Sequence, residues 1–274
     1  MEHIRFSQIA AMNEHFVLQT FESFLECVVQ CGINNIELWA GLPHLYAPDM
    51  TQDKISTIKK QISSRNLSLI CYTPEQCVYP YNIAAKEAEI REYSLDYFFK
   101  NLEIASELEA PMLQIVPGWG YRNEPREEAL KRSMDSIERI CKRSVNLGIR
   151  IVLEALEENE SNLIRNAIEL RDVLNTINLP NLGAVIDTCP MAAAGEDFII
   201  SHQYLNDRIW HSHFIDSEHL VWGDGDLPLR KYLRQLDQLE YKGFLTIEVL
   251  NDKYLLCPEK ALVKSAEAIT KYLA

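Results

Sequence analysis

Short apolar runs alternate with longer amphipathic segments along the whole chain. The apolar runs fall at residues 4–9, 35–39, 67–73, 112–116, 150–156, 183–187, 209–215 and 244–250. Most are rich in Ile, Val and Leu and lack polar alternation, the pattern of strands buried on both faces of a parallel sheet. Between them, apolar positions recur at helical spacing over 21–30, 55–63, 86–109, 125–147, 162–176, a shorter stretch near 196–205, 229–239 and 258–273. Pro125 suits the first turn of its helix, where a missing N–H costs nothing. Gly148, Gly183 and Gly243 each stand just before a strand, where a preceding helix should end.

Strand–helix alternation repeated eight times predicts a closed α/β structure, a single (β/α)8 TIM barrel over residues 1–274. The length agrees, since roughly 250 residues is typical of that architecture. No Pro/Gly/Ser-rich linker divides the chain. An open doubly wound sheet would normally carry a glycine-rich phosphate turn, and neither GxGxxG nor GxxxxGK[ST] occurs.

Composition removes several classes of function. The formal net charge is −13, which disfavours nucleic acid as a partner, because such binding rests on Lys and Arg neutralising phosphates. The seven cysteines are an odd number without a CxxC pair, as expected of reduced thiols in a cytoplasmic protein. The N-terminus shows no basic region followed by an apolar one, and no run of about 18 apolar residues suggests a membrane span.

In such a barrel the chemistry sits at the C-terminal ends of the strands. Four ionisable residues interrupt apolar strand ends there: Glu154, Asp187, His213 and Glu248. One buried carboxylate is ordinary as half of an ion pair. Three together cost several kcal/mol per ion unless a cation compensates them, and few Lys or Arg lie nearby. A single divalent metal is the simplest compensation. A donor set of three carboxylates and one imidazole suits Mn2+ best, with Co2+, Mg2+, Fe2+ or Zn2+ as alternatives.

This arrangement resembles the xylose-isomerase-like TIM-barrel superfamily of sugar isomerases and epimerases, whose Glu…Asp…His…Glu metal signature Glu154, Asp187, His213 and Glu248 match in order and strand position. The segments IELWAGLPHLYAPD (36–49), CYTPEQCVYPYN (71–82), LEALEENESN (153–162) and HSHFIDS (211–217) are similar to its fructoselysine-type 3-epimerase branch. The resemblance implies proton transfer next to a ketose carbonyl through an enediolate. Glu154 and Glu248 would be the acid/base pair on opposite faces of a sugar or sugar-amine. It also implies that Glu160, six residues after Glu154, contacts substrate hydroxyls, and that the barrel pairs as a homo-oligomer. Ketose-type relatives carry a histidine and an arginine where this chain has Pro190 and His219, a departure shared with the fructoselysine-type branch. Trp39 and Tyr72 are expected to wall the pocket. Glu75, His44, Tyr81 and Asn82 are expected to line it, and Asp216 to orient a hydroxyl or a ligand.

Three other readings compete. A dehydratase or isomerase of an inositol-like or keto-acid substrate would use the same metal site. A DNA-repair endonuclease of this fold would need additional histidines for a trinuclear zinc centre, and it fits poorly with the acidic charge. A non-catalytic sugar-binding barrel would not need an intact acid/base set.

Overall fold

A computed structural model describes residues 1–274. The strands are β1 (Ile9–Met12), β2 (Asn35–Ala40), β3 (Ser68–Pro74), β4 (Met112–Ile115), β5 (Arg150–Glu154), β6 (Leu182–Asp187), β7 (Ile209–His213) and β8 (Phe244–Ile247). They pair in sequence order, all parallel, and β8 closes on β1. The helices are α1 (Phe21–Gln30), α2 (Gln52–Ser63), α3 (Ala88–Glu107), α4 (Arg126–Val145), α5 (Ala167–Ile177), α6 (Thr188–Ala193), α7 (Phe198–Leu205), α8 (Leu229–Gln238) and α9 (Pro258–Leu273). None is long and apolar enough to cross a membrane.

Local signals set many helix starts. Thr20, Thr51, Asn166 and Asp197 cap α1, α2, α5 and α7 by accepting the backbone N–H three residues on, which satisfies a donor the helix leaves free. Pro125 stands one residue earlier than expected, at the N-cap of α4. Gly148 follows α4 in the left-handed conformation (φ +69°). Gly183 and Gly243 serve a different purpose: a Cβ on either would overlap Trp210 or Tyr241.

Several element boundaries differ from expectation, β7 ending at His213 and α5 beginning at Ala167 among them. The segment 4–9 enters as a short 3-10 turn, Phe6–Gln8, and the strand is the alanine-rich Ile9–Met12. The apolar end of the expected 150–156 strand leaves the sheet after Glu154, and 155–166 forms a loop before α5. The helical stretch near 196–205 is preceded by a separate short helix, α6, which Asp187 caps through the Cys189 N–H. β8 ends at Ile247, so Glu248 is the first residue beyond it.

Two apolar layers follow from strand alternation. Ile151, Leu153, Ala184 and Ile186 join the main core shared with the helices. Val152 and Val185 belong to a separate cluster with Ala10, Ile70, Cys71 and Met112, closed by Trp210 and Phe244. Successive strand residues face opposite sides of a sheet, so this second cluster fills the barrel. Glu154 lies two residues beyond Val152, and Asp187 two beyond Val185. Both therefore point inward at the C-terminal end.

Candidate metal centre at the C-terminal mouth

The four residues singled out from the sequence converge. The donor atoms of Glu154, Asp187, His213 and Glu248 all lie within 4.8 Å of one another, and all four residues are buried. His213 Nδ1 is 2.7 Å from Glu154 Oε1 and 3.0 Å from Glu248 Oε2. Neither His213 Nδ1 nor Glu154 Oε1 has a hydrogen-bond partner, although both are buried. Buried polar atoms are normally paired, so donor atoms left unpaired and turned toward one point fit a cation. The set is hard oxygen plus one imidazole, which suits a first-row dication or Mg2+.

The electrostatics agree. Burial alone would lower the His213 imidazole, but the charges of Glu154, Glu248 and Glu37 overcome this and raise it well above its ordinary value. Burial pushes the Glu248 carboxyl up to about 7, against the pull of His213.

Several supporting residues gave little signal in the sequence. Gln114 donates to Glu154 Oε2 at 2.5 Å and accepts from Gln76 Nε2 at 3.1 Å. Gln76 is held in turn by the Val116 N–H. Glu37 lies below His213 with no exposed surface. It accepts from His211 Nε2 (2.6 Å), His213 Nε2 (3.1 Å) and the Thr73 hydroxyl. Burial alone would raise Glu37, but His211 and then His213 hold it well below the usual carboxylate range. His219 Nε2 reaches Asp187 Oδ2 at 3.1 Å and lies 3.8 Å from Glu248 Oε2. Burial would lower this imidazole, yet Asp187 drives it up to about 12. Glu218 and His219 are both left-handed (φ +57° and +51°), a conformation that side chains other than glycine adopt rarely. Glu14 is raised well above its ordinary value by burial and then by the charges of Glu75 and Glu248, so it borders the same space.

The remaining expected residues divide. Trp39 Nε1 donates to Glu75 Oε2 at 2.8 Å, and Glu75 Oε1 takes the Cys77 and Val78 N–H groups. Glu160 stands exposed at the rim, accepting from the Glu157 N–H; partial desolvation and then the charge of Glu154 raise it. Tyr72 does not wall the pocket: its hydroxyl donates to Asn101 on α3, because the inward positions of β3 belong to Cys71 and Thr73. His44 spends both ring nitrogens on Asn13 and on the Gln19 carbonyl, which ties the β2 loop to the β1 loop. Asp216 likewise uses its carboxylate on the N–H groups of Ser217, Gly223 and Leu227, which folds the 216–227 loop. Tyr81 bonds the Tyr46 hydroxyl, and Asn82 bonds the Trp119 backbone.

The chain is thus a closed parallel barrel with a four-donor cluster at its C-terminal mouth that could hold a metal ion. Residues 25–272 match the family described as "Xylose isomerase-like TIM barrel", and the chain belongs to that family. Among curated relatives, fructoselysine 3-epimerase of Escherichia coli O157:H7 is 29% identical over 226 residues, covering 81% of this chain and 82% of the relative. A solved D-allulose 3-epimerase from Methylomonas sp. superposes with a TM-score of 0.83 at 17% identity, covering 99% of this chain and 100% of that one. These similar proteins are sugar 3-epimerases, a kind of isomerase. Apurinic-apyrimidinic endonuclease 1 of Saccharomyces cerevisiae is also similar, at 24% identity over 226 residues, 80% of this chain and 60% of that protein.

Proposed function

We propose that the chain is a divalent-cation-dependent sugar 3-epimerase whose substrate is a ketose bearing an amine, of the fructoselysine type. The convergence of Glu154, Asp187, His213 and Glu248 around unpaired buried donor atoms carries this reading. Those four residues hold the cation, with Mn2+ the best match to the donor set. When bound, the cation supplies Lewis acidity to a carbonyl and its neighbouring hydroxyl.

The protein's own groups do the rest. One of Glu154 and Glu248 removes the proton from the carbon beside the carbonyl, leaving an enediolate, and the other returns a proton to the opposite face. Which acts first depends on the direction of reaction. Each transfer contributes about 10²–10⁴-fold. Gln114 orients Glu154 for this step. Trp39, held by Glu75, forms a wall, and Glu160 reaches substrate hydroxyls from the rim.

Charge favours a sugar-amine over a plain ketose. The three ligand carboxylates already outnumber the charge of one dication. Glu75 and Glu160 add further carboxylates around the mouth, with the His219 imidazole held against Asp187. An ammonium group on the substrate balances that excess, as opposite charges at short range in a partly buried site attract strongly. The acidic surroundings also weigh against a DNA phosphate as ligand.

Incubating Mn2+-loaded enzyme in D2O with fructoselysine, and in parallel with simple ketoses, tests the proposal. Deuterium entering C3 with inversion is the expected result, fastest on the sugar-amine. Product formed without solvent hydrogen would refute proton transfer, and loss of water from the product would mark the dehydratase reading instead.

A further inference from the structure

Beneath the metal-type cluster lies a layer of polar groups with no access to substrate. Glu37, His211 and His213 have no exposed surface, and Thr73 and Thr246 are buried with them. Alternation explains the stacking: His211 and His213 are two residues apart on β7 and face the same way, with Glu37 inward on β2 across the barrel. A carboxylate this deep needs compensation, and here it comes from two imidazoles and a hydroxyl.

The division of contacts between its oxygens is informative. Glu37 Oε2 takes the N–H of His211 Nε2 at 2.6 Å. Glu37 Oε1 takes both the Thr73 hydroxyl and the N–H of His213 Nε2, the latter at 3.1 Å. An ionised carboxylate offers only acceptors. His213 must therefore carry its proton on Nε2 to make this bond. With Nε2 committed to Glu37, Nδ1 is the nitrogen free to exchange a proton for a cation, and it is the atom that faces Glu154 and Glu248 without a partner. His211 Nδ1 is buried and unpaired, and its Nε2 also lies 3.2 Å from the Thr246 hydroxyl. It serves as the fixed counter-group that keeps the Glu37 carboxylate in place.

We propose that Glu37, anchored by His211, is a positioning residue that fixes the tautomer and ring orientation of His213, so that Nδ1 is the nitrogen offered to the cation. This rests on the metal-centre reading above. A carboxylate behind a ligating histidine both orients the ring and strengthens it as a donor, and loss of such a partner typically weakens metal binding about 10–100-fold.

Two variants of the full-length protein test it, Glu37→Leu and Glu37→Asp. Leucine removes both acceptors while keeping comparable bulk. Aspartate keeps the charge on a stem one methylene shorter, so it cannot reach both imidazoles at once. Mn2+ affinity is measured by titration followed by electron paramagnetic resonance, and the histidine tautomers by two-bond 1H–15N correlation on the Mg2+-loaded, 15N-histidine-labelled protein. Wild type is expected to show His213 protonated at Nε2 alone. Glu37→Leu is expected to bind Mn2+ about 10–100-fold more weakly and to show His213 in mixed tautomers, with Glu37→Asp shifted in the same direction by less. If leucine prevents folding, the aspartate variant decides.

A folded variant that binds Mn2+ as wild type does, with its His213 proton still on Nε2, overturns the positioning role and leaves the metal centre intact. Wild type that takes up no Mn2+ overturns the metal-centre reading itself and this inference with it. A purely structural role would lower the melting temperature without moving the tautomer, so that outcome also counts against the proposal.

Discussion

Replacing Gln114 with leucine isolates the support of one carboxylate. In the native protein Gln114 Nε2 donates to Glu154 Oε2 at 2.5 Å, and its own carbonyl is fixed by Gln76. Leucine has a similar volume and no donor, so the barrel interior stays filled. Gln76 keeps its bonds to the Pro74 carbonyl and the Val116 N–H but loses the Gln114 carbonyl as an acceptor, so the rate is read beside the stability of the same variant. A hydrogen bond to an ionised group contributes about 1.5–3 kcal/mol. If that orientation is needed in the transition state, and each 1.36 kcal/mol is tenfold in rate, kcat falls about 10–150-fold. The assay is epimerisation followed by NMR on the best substrate found, beside thermal unfolding of the same preparation. A change below twofold in kcat with an unaltered melt would refute the assigned role of Gln114. Loss of rate accompanied by loss of cooperative unfolding would mean that Gln114 acts through the fold.

Other expectations follow from the same geometry. Glu154→Gln and Glu248→Gln should each slow C3 exchange by about 10²–10⁴-fold, measured from each epimer separately; an exchange rate unchanged in either variant would remove that residue from the acid/base pair. Chelation by EDTA should lower the melting temperature, because a cation held at 100 times its dissociation constant stabilises the native state by about 2.7 kcal/mol, and an identical melt with and without chelator would speak against a resident ion. Gly183→Ala should destabilise by about 1–3 kcal/mol through overpacking against the Trp210 indole, read from denaturant melts, and the loss should shrink in a Trp210→Leu background. Burial alone would raise the Asp197 carboxyl, but Lys231, Gln235 and the Ile200 N–H outweigh it and hold it below its ordinary value. Its contribution to stability is therefore present above the ordinary carboxylate pKa and lost as pH falls through the depressed one. Asp197→Asn should make the acid limb of the stability profile shallower, and an unchanged limb would contradict this.

Sequence pattern made the barrel legible because parallel strands buried on both faces carry a strong, continuous apolar signal. It failed where that signal is weak. Ala10 and Ala11 have little strand propensity, so the apolar signal at residues 4–9 runs ahead of β1 itself. The 155–166 loop is apolar enough at Ala155 and Leu156 to extend the apparent strand.

Within the site, charged residues inside apolar runs stood out, which is why Glu154, Asp187, His213 and Glu248 were visible. Gln114 interrupts its strand too, but a neutral amide does not signal an ion. His219 and Glu14 lie in loops whose course only tertiary structure fixes; two successive left-handed residues place His219 beside Asp187. The orientation of Tyr72 turns on parity. Register shifts at Ile36/Glu37, and with Cys71 and Thr73 inward, Tyr72 must face the helices. His44 and Asp216 look like binding residues in sequence because polar loop side chains do not reveal that their hydrogen bonds are already taken by backbone and neighbouring loops.

Anomalous diffraction from crystals grown with Mn2+ tests the central claim most directly. One strong peak is expected between Glu154, Asp187, His213 and Glu248, within about 2.0–2.6 Å of an oxygen from each carboxylate and of His213 Nδ1. A peak elsewhere, or none at saturating Mn2+, would contradict the account.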